Sequence, residues 1–154
     1  VFGTIYLFLR HSSIFVPFLE FNAKAANFFL ELFGAGTSVD GVVVTGDTFS
    51  FWVSAECTST IFTAIFASAA IAWPSTVREK ISGIILAAAV LFLVNLVRII
   101  TLYYIGSAFP GFLDFAHFFL WQILLILLTV GLWVLWMEKM IRTPNQSRPP
   151  SEVQ

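Results

Sequence analysis

Polar residues are sparse along this chain, and their spacing is informative. Between Ile14 and Phe33 they fall at Glu20, Lys24, Asn27 and Glu31, in steps of four, three and four, which traces one stripe along an α-helix. Glu20 precedes Lys24 by four residues, the favourable order for an ion pair, and Pro17 suits a first turn. The pattern predicts an amphipathic helix over residues 14–36 that lies along a membrane surface. After Gly34-Ala35-Gly36, the β-branched Val42, Val43 and Val44 lead into a Thr45-Gly46-Asp47-Thr48 turn, and Phe49, Phe51 and Val53 then alternate with smaller residues. This predicts a β-hairpin over residues 38–55.

Three apolar stretches follow, at 57–73, 81–105 and 117–137, each near the ~20 residues that cross a hydrocarbon core. The first nine residues, VFGTIYLFL, are apolar up to Arg10 and lack the basic start and small-residue cleavage site of a signal peptide. Residues 1–10 therefore read as the end of a truncated N-terminal transmembrane helix. The fold class this predicts is an all-α polytopic membrane protein. A small transmembrane helix bundle forms a three-span core over 57–137, joined by the interfacial helix and an extracytoplasmic hairpin. The polar, proline-containing tail, 138–154, reads as disordered.

Composition agrees with a lipid solvent: 58% of the residues are hydrophobic and only 11% charged, against about 25% charged in a soluble domain. Eighteen Phe and five Trp are more aromatic surface than a soluble core of this length can hide. Charge sets orientation. Arg78 and Lys80 lie in the 74–80 loop and Lys139, Arg142 and Arg148 in the tail, whereas the 106–116 loop carries only Asp114. The positive-inside rule makes the first loop and the C-terminus cytoplasmic, and the 106–116 loop and the hairpin extracytoplasmic. The net charge of -1, with no basic stripe, argues against nucleic acid as a partner. No glycine-rich phosphate loop, HExxH or acidic cluster is present, and His11 and His117 lie on separate segments, so neither a metal nor another cofactor is expected.

Candidate chemistry rests on few residues. Cys57, the one cysteine, opens the first predicted span from outside, and His117 opens the last from outside. Arg98 lies seventeen residues into a span that starts inside near Ile81, so a rise of ~1.5 Å per residue carries it roughly 25 Å across a ~30 Å core. A thiol, a guanidinium and an imidazole then share one membrane face. Singly, each has an ordinary explanation: a small buried hydrophobe, a side chain snorkelling to headgroups, an interfacial polar residue. Together they make a set. A thiolate is a strong nucleophile whose pKa falls beside a cation, a histidine moves protons near neutral pH, and an arginine donates to an oxyanion or holds a carboxylate. Asn95, on the same helix face as Arg98, is placed to hydrogen-bond it or a substrate. The implied reaction is acyl transfer through a thioester. A non-enzymatic reading stays open beside it, a small transporter whose polar pathway includes Asn95 and Arg98.

Glu56-Cys57-Thr58 at a span start, Asn95-Leu96-Val97-Arg98 late in the next span and His117 at the head of the last resemble the Cys, Asn-x-x-Arg and His signatures of the exosortase/archaeosortase family, over about residues 37–137. The histidine is more like the bacterial exosortases than the archaeal branch, and the small number of spans is similar to a compact subtype. The resemblance implies an inner-membrane cysteine protease or transpeptidase that cleaves C-terminal sorting signals of the PEP-CTERM kind from exported proteins, with its site on the periplasmic face; a subunit that only binds such signals is the non-enzymatic alternative. Carried over, Cys57 is the nucleophile, Arg98 the oxyanion or substrate stabiliser and His117 the acid and base, with Asn95 in support. One departure is Ser59, where the family often has glycine two residues after the cysteine.

Overall fold

Gly83, Ala87, Leu91, Asn95, Ile99 and Tyr103 recur every four residues, and this repeat gives the longest helix a continuous buried edge. The computed structural model describes residues 16–142, so the expectations for 1–10 and for the tail after 142 lie outside the described residues. The elements are α1 (Val16–Leu32), β1 (Ser38–Asp40), β2 (Val43–Thr45), β3 (Ser50–Trp52), a 3-10 turn (Ala55–Cys57), α2 (Thr60–Ala72) and α3 (Val77–Ala108). A 3-10 turn (Pro110–Phe112), one α-helical turn (Leu113–Phe115) and a π-helical turn (Ala116–Leu120) then run into α4 (Trp121–Arg142).

Local chemistry sets the boundaries. Trp73 is extended because Pro74 follows it, which ends α2. Three residues on, α3 starts at a capping box: the Thr76 N–H donates to the Glu79 carboxylate at 2.9 Å and the Glu79 N–H to the Thr76 hydroxyl at 3.4 Å. Lys80 Nζ donates to the Ile71 carbonyl at 2.6 Å and satisfies the end of α2.

Packing proceeds in layers down α3. Phe62, Leu91 and Leu125 form one, and Phe66, Ala70, Ala87 and Trp136 the next. Residue numbers on α2 and α4 rise as those on α3 fall, so both run antiparallel to it. In the deeper layer the Trp136 ring lies over Gly83, where a Cβ would meet the indole. Gly83→Val is expected to destabilise the bundle by about 1–3 kcal/mol through overpacking, read as a lower unfolding midpoint in detergent.

The structure differs from expectation in three places. First, α1 does not lie across the bundle. Phe21 stacks on Phe92 at 5.8 Å, Ala26 packs with Leu96 and Ile99, and Tyr104 Oη donates to the Phe33 carbonyl at 3.5 Å, so α1 runs beside the second half of α3 and in the same direction. Its small face turns inward, with Asn22, Ala23, Ala26, Asn27 and Leu30 buried, while Phe21, Phe28 and Leu32 are exposed. Ala23 and Ala26 allow close approach of the two backbones, as small residues do between helices in lipid. Of the expected polar stripe, Lys24 and Glu31 are exposed, but Asn27 is buried and donates from Nδ2 to Glu31 Oε1 at 3.1 Å.

Second, the hairpin is a three-stranded antiparallel meander, β1-β2-β3, with Val39 opposite Val44 and Val44 opposite Phe51. The additional strand comes from an Asp40-Gly41 turn in which Gly41 takes φ 57°, a left-handed conformation favouring glycine. Val44 is fully buried and meets Ala23, Leu30, Val53 and Tyr103, which fastens the sheet over the ends of α1 and α3.

Third, among the described residues only two helical stretches, Val77–Ala108 and Pro110–Ile141, have the length and apolarity to cross a bilayer. At 13 residues, α2 reaches only ~20 Å of a ~30 Å core, because Pro74 stops it at one end and the turn carrying Cys57 stops it at the other. Only 11% of the most apolar window of Pro110–Ile141 is buried, which distinguishes it from the core helix of a soluble protein. This is a mostly helical membrane protein with a small sheet at one end of its helices.

Candidate active site

The descent from β3 to α2 is where the chain turns tightest. Cys57 closes the 3-10 turn, its N–H donating to the Ser54 carbonyl at 2.9 Å. The Thr58 hydroxyl and N–H both donate to the Ala55 carbonyl, at 2.7 and 3.3 Å, and the Thr58 and Thr60 hydroxyls share a hydrogen bond of 2.9 Å. From α3, Asn95 Nδ2 donates to the Cys57 carbonyl at 2.7 Å. The Cys57 backbone is therefore held at both its N–H and its C=O. Ser59, where a glycine was the family pattern, has φ -77° and ψ 6°, a conformation open to any L-residue.

Cys57, Arg98 and His117 come together. His117 is within hydrogen-bonding reach of the Cys57 sulfur, the Ser54 hydroxyl donates to that sulfur at 3.5 Å, and the charge of Arg98 acts on it from the buried side. Cys57 lies in the turn ahead of α2 and is only partly buried. Burial pushes its thiol up, but the hydrogen bonds to His117 and Ser54 and the Arg98 charge outweigh it, lowering the pKa from 9.0 to about 7. Because the thiolate is what alkylates, the rate of Cys57 labelling by iodoacetamide is expected to rise with pH through a midpoint of about 7. His117→Ala should move that midpoint toward the ~8.5 of an ordinary thiol; labelling followed by mass spectrometry checks it, and an unmoved midpoint would break the link between the two side chains.

Arg98 is 3% exposed, so it does not snorkel to the headgroups, and it does not line the cleft beside Cys57. Asn95 is fully buried, and its Nδ2 bonds the Cys57 backbone. Its register follows from the four-residue repeat of α3, which turns Asn95 toward the Cys57 turn and Arg98, three residues on, toward the same end. His117 is presented by the π-helical turn, whose wider winding shifts side chains off the α-helical register and often marks functional positions. Its ring packs edge to face on Phe118, with centroids 4.6 Å apart.

A cleft of about 500 Å³ opens above the sulfur. Phe51, Trp52 and Ser54 form one wall, Ile99 and Tyr103 the back, and Leu113, Asp114 and His117 the other wall. Ser54, Tyr103 and Asp114 have no place in the sequence-based site. Asp114 was readable, standing one helical turn before His117, whereas Ser54 reaches the sulfur only because the chain turns at 55–57. Gly106 supports the same wall from below, since a Cβ there would press into the Phe49 ring. Among the described residues no cluster of metal-binding side chains exists.

The family model for transmembrane exosortases matches residues 2–134. No curated protein and no solved structure gives a significant match. The matched stretch takes in the sheet, the Cys57 turn, α3 and the π-helical turn bearing His117; this chain belongs to the transmembrane exosortase family.

Proposed function

We propose that this protein is a membrane-embedded cysteine protease or transpeptidase that cleaves PEP-CTERM-like C-terminal sorting signals from exported proteins through a thioester. The observation that carries the reading is the meeting of three separate segments on one sulfur: Ser54 from the turn, His117 from the π-helical turn and the buried Arg98 from α3. A lone structural cysteine has no need of such partners, and buried charge within a span usually serves a function.

In this mechanism His117 takes the thiol proton, Cys57 Sγ attacks the scissile carbonyl carbon, and a C–S bond forms as the carbonyl π electrons move to oxygen. Collapse of the tetrahedral intermediate breaks the C–N bond, with His117 giving its proton to the leaving amine. His117 then takes a proton from the incoming water or amine, which attacks the thioester and frees the sulfur. Arg98 holds negative charge at the sulfur and at the developing oxyanion through the low-dielectric interior rather than by lining the cleft. Asn95 holds the Cys57 carbonyl and so the direction of attack. The site lies on the periplasmic side of the inner membrane and the C-terminus in the cytoplasm, a topology supported by Arg78 and Lys80 at the opposite end of α3 from Asn95 and Arg98. The exposed phenylalanines of α1 sit in the outer leaflet.

Co-expression with an exported protein that bears a C-terminal sorting signal tests this, by the mass of the processed C-terminus. A new free carboxylate identifies hydrolysis and an amine adduct identifies transpeptidation. Binding of the signal with no cleavage product would sink the enzyme reading in favour of a sorting-signal-binding subunit.

A further inference from the structure

β3 occupies one edge of the sheet and leads, five residues after Trp52, into Cys57. The hydrogen bonds that flank it fix which way its backbone faces. The Gly46 N–H donates to the Phe49 carbonyl at 3.0 Å, and the Val53 N–H donates to the Val42 carbonyl at 2.8 Å. In an antiparallel ladder such pairs alternate, so Phe49, Phe51 and Val53 turn their polar backbone groups to β2. Ser50 and Trp52 turn theirs to the other side, where among the described residues no strand pairs with them. Edge strands are ordinarily blunted by lysine, proline or a covering element. β3 carries no charge and no proline, and Ser50, Phe51 and Trp52 line the same cleft as Cys57.

We infer that the open edge of β3 is the docking strand for the substrate, which adds to the sheet as an extended peptide with its scissile carbonyl at Cys57. This deepens the proposed function and rests on Cys57 being the nucleophile. The direction follows from the fold. Phe51 and Phe49 pack at the level of Tyr103 and Gly106, while Cys57 is bonded to Asn95, about two turns lower on α3. The residues before the scissile bond therefore lie over the sheet and run parallel to β3, and those after it descend beside the helices. Main-chain pairing gives affinity with little dependence on sequence, and the neighbouring Trp52, Tyr103 and Phe118 favour apolar side chains.

The test uses the full chain in detergent and two alkylating probes, iodoacetamide and acetyl-Val-Ala-Val-Ala chloromethyl ketone. In the second, Cys57 Sγ displaces chloride and forms a C–S bond to the methylene carbon next to the ketone, which stands where the scissile carbonyl would. Ser50→Pro removes an N–H that faces away from β2, a change an edge strand tolerates. It is expected to slow the peptide probe about tenfold, the loss of roughly one main-chain hydrogen bond, and to leave iodoacetamide labelling unchanged; Ser50→Ala should alter neither. Equal rates in Ser50→Pro and wild type would overturn the docking strand. If Ser50→Pro disturbs the turn, seen as altered iodoacetamide labelling, the wild-type protein decides with a probe N-methylated at its second or third residue. Slowing of either methylated probe supports pairing, and full speed for both refutes it. Failure of iodoacetamide to label wild type above Cys57→Ala would overturn the nucleophile itself, and the docking strand with it.

Discussion

Cys57→Ala, co-expressed with an exported protein bearing a sorting signal, is expected to leave that protein unprocessed, a loss of about 10³-fold or more. The effect is this large because the other groups at the site act through the sulfur. Ser54 and His117 bond to it and Arg98 biases its charge, so in the proposed mechanism none of them offers a second route to an acyl intermediate. Cys57→Ser should be almost as inactive, since a hydroxyl keeps its proton under the same influences that bring the thiol to about 7. Both variants should fold, because Cys57 is only partly buried and its backbone bonds to Ser54 and Asn95 do not involve the thiol. The mass of the exported protein's C-terminus and the unfolding midpoint of the variant are the measurements. Undiminished processing by Cys57→Ala would end the cysteine-protease reading and favour a transporter, which tolerates both substitutions.

Arg98→Met should produce the second largest loss, about 10²–10³-fold, of the order seen when a single charge-stabilising donor is removed from an acyl-transfer site. Methionine keeps much of the volume and deletes the charge. The site then loses the buried cation that acts on the sulfur, and the Cys57 thiol retains its proton to higher pH. The midpoint of the alkylation profile is therefore expected to rise above about 7 together with the loss of processing. A merely structural Arg98 would lower the unfolding midpoint and leave that profile where it was. Arg98→Lys should restore part of both effects, because a cation at this position matters through its charge and not through contact in the cleft.

Much of the helical architecture was legible from local signals. Pro74, the Thr76 to Glu79 spacing and the four-residue repeat from Gly83 to Tyr103 delimit and orient α3 whatever else surrounds it. The common level of Cys57, Arg98 and His117 followed from helix rise. The hydrogen bond between His117 and the Cys57 sulfur did not, because depth along the bilayer says nothing about rotation around a helix axis. The three-stranded meander was missed although Asp40-Gly41 announces a turn, since the valine run masked the short strand before it. The expectation that α1 lies along the membrane surface differed from the structure for another reason: in lipid, small residues and asparagines pack inward and phenylalanines face out, the reverse of the pattern in water.

By itself, then, the sequence determined what is local or additive: a lipid-soluble composition, helix ends set by proline and caps, and a cysteine, an arginine and a histidine at one depth. Tertiary structure alone decided what depends on approach between distant segments. It delayed the start of α2 until after the Cys57 turn, buried Arg98, gave Asn95 to the Cys57 carbonyl and brought β3 to the edge of the cleft. Each of these depends on where a chain reversal or a wide helical turn aims a side chain, and that direction is fixed only when the elements pack together.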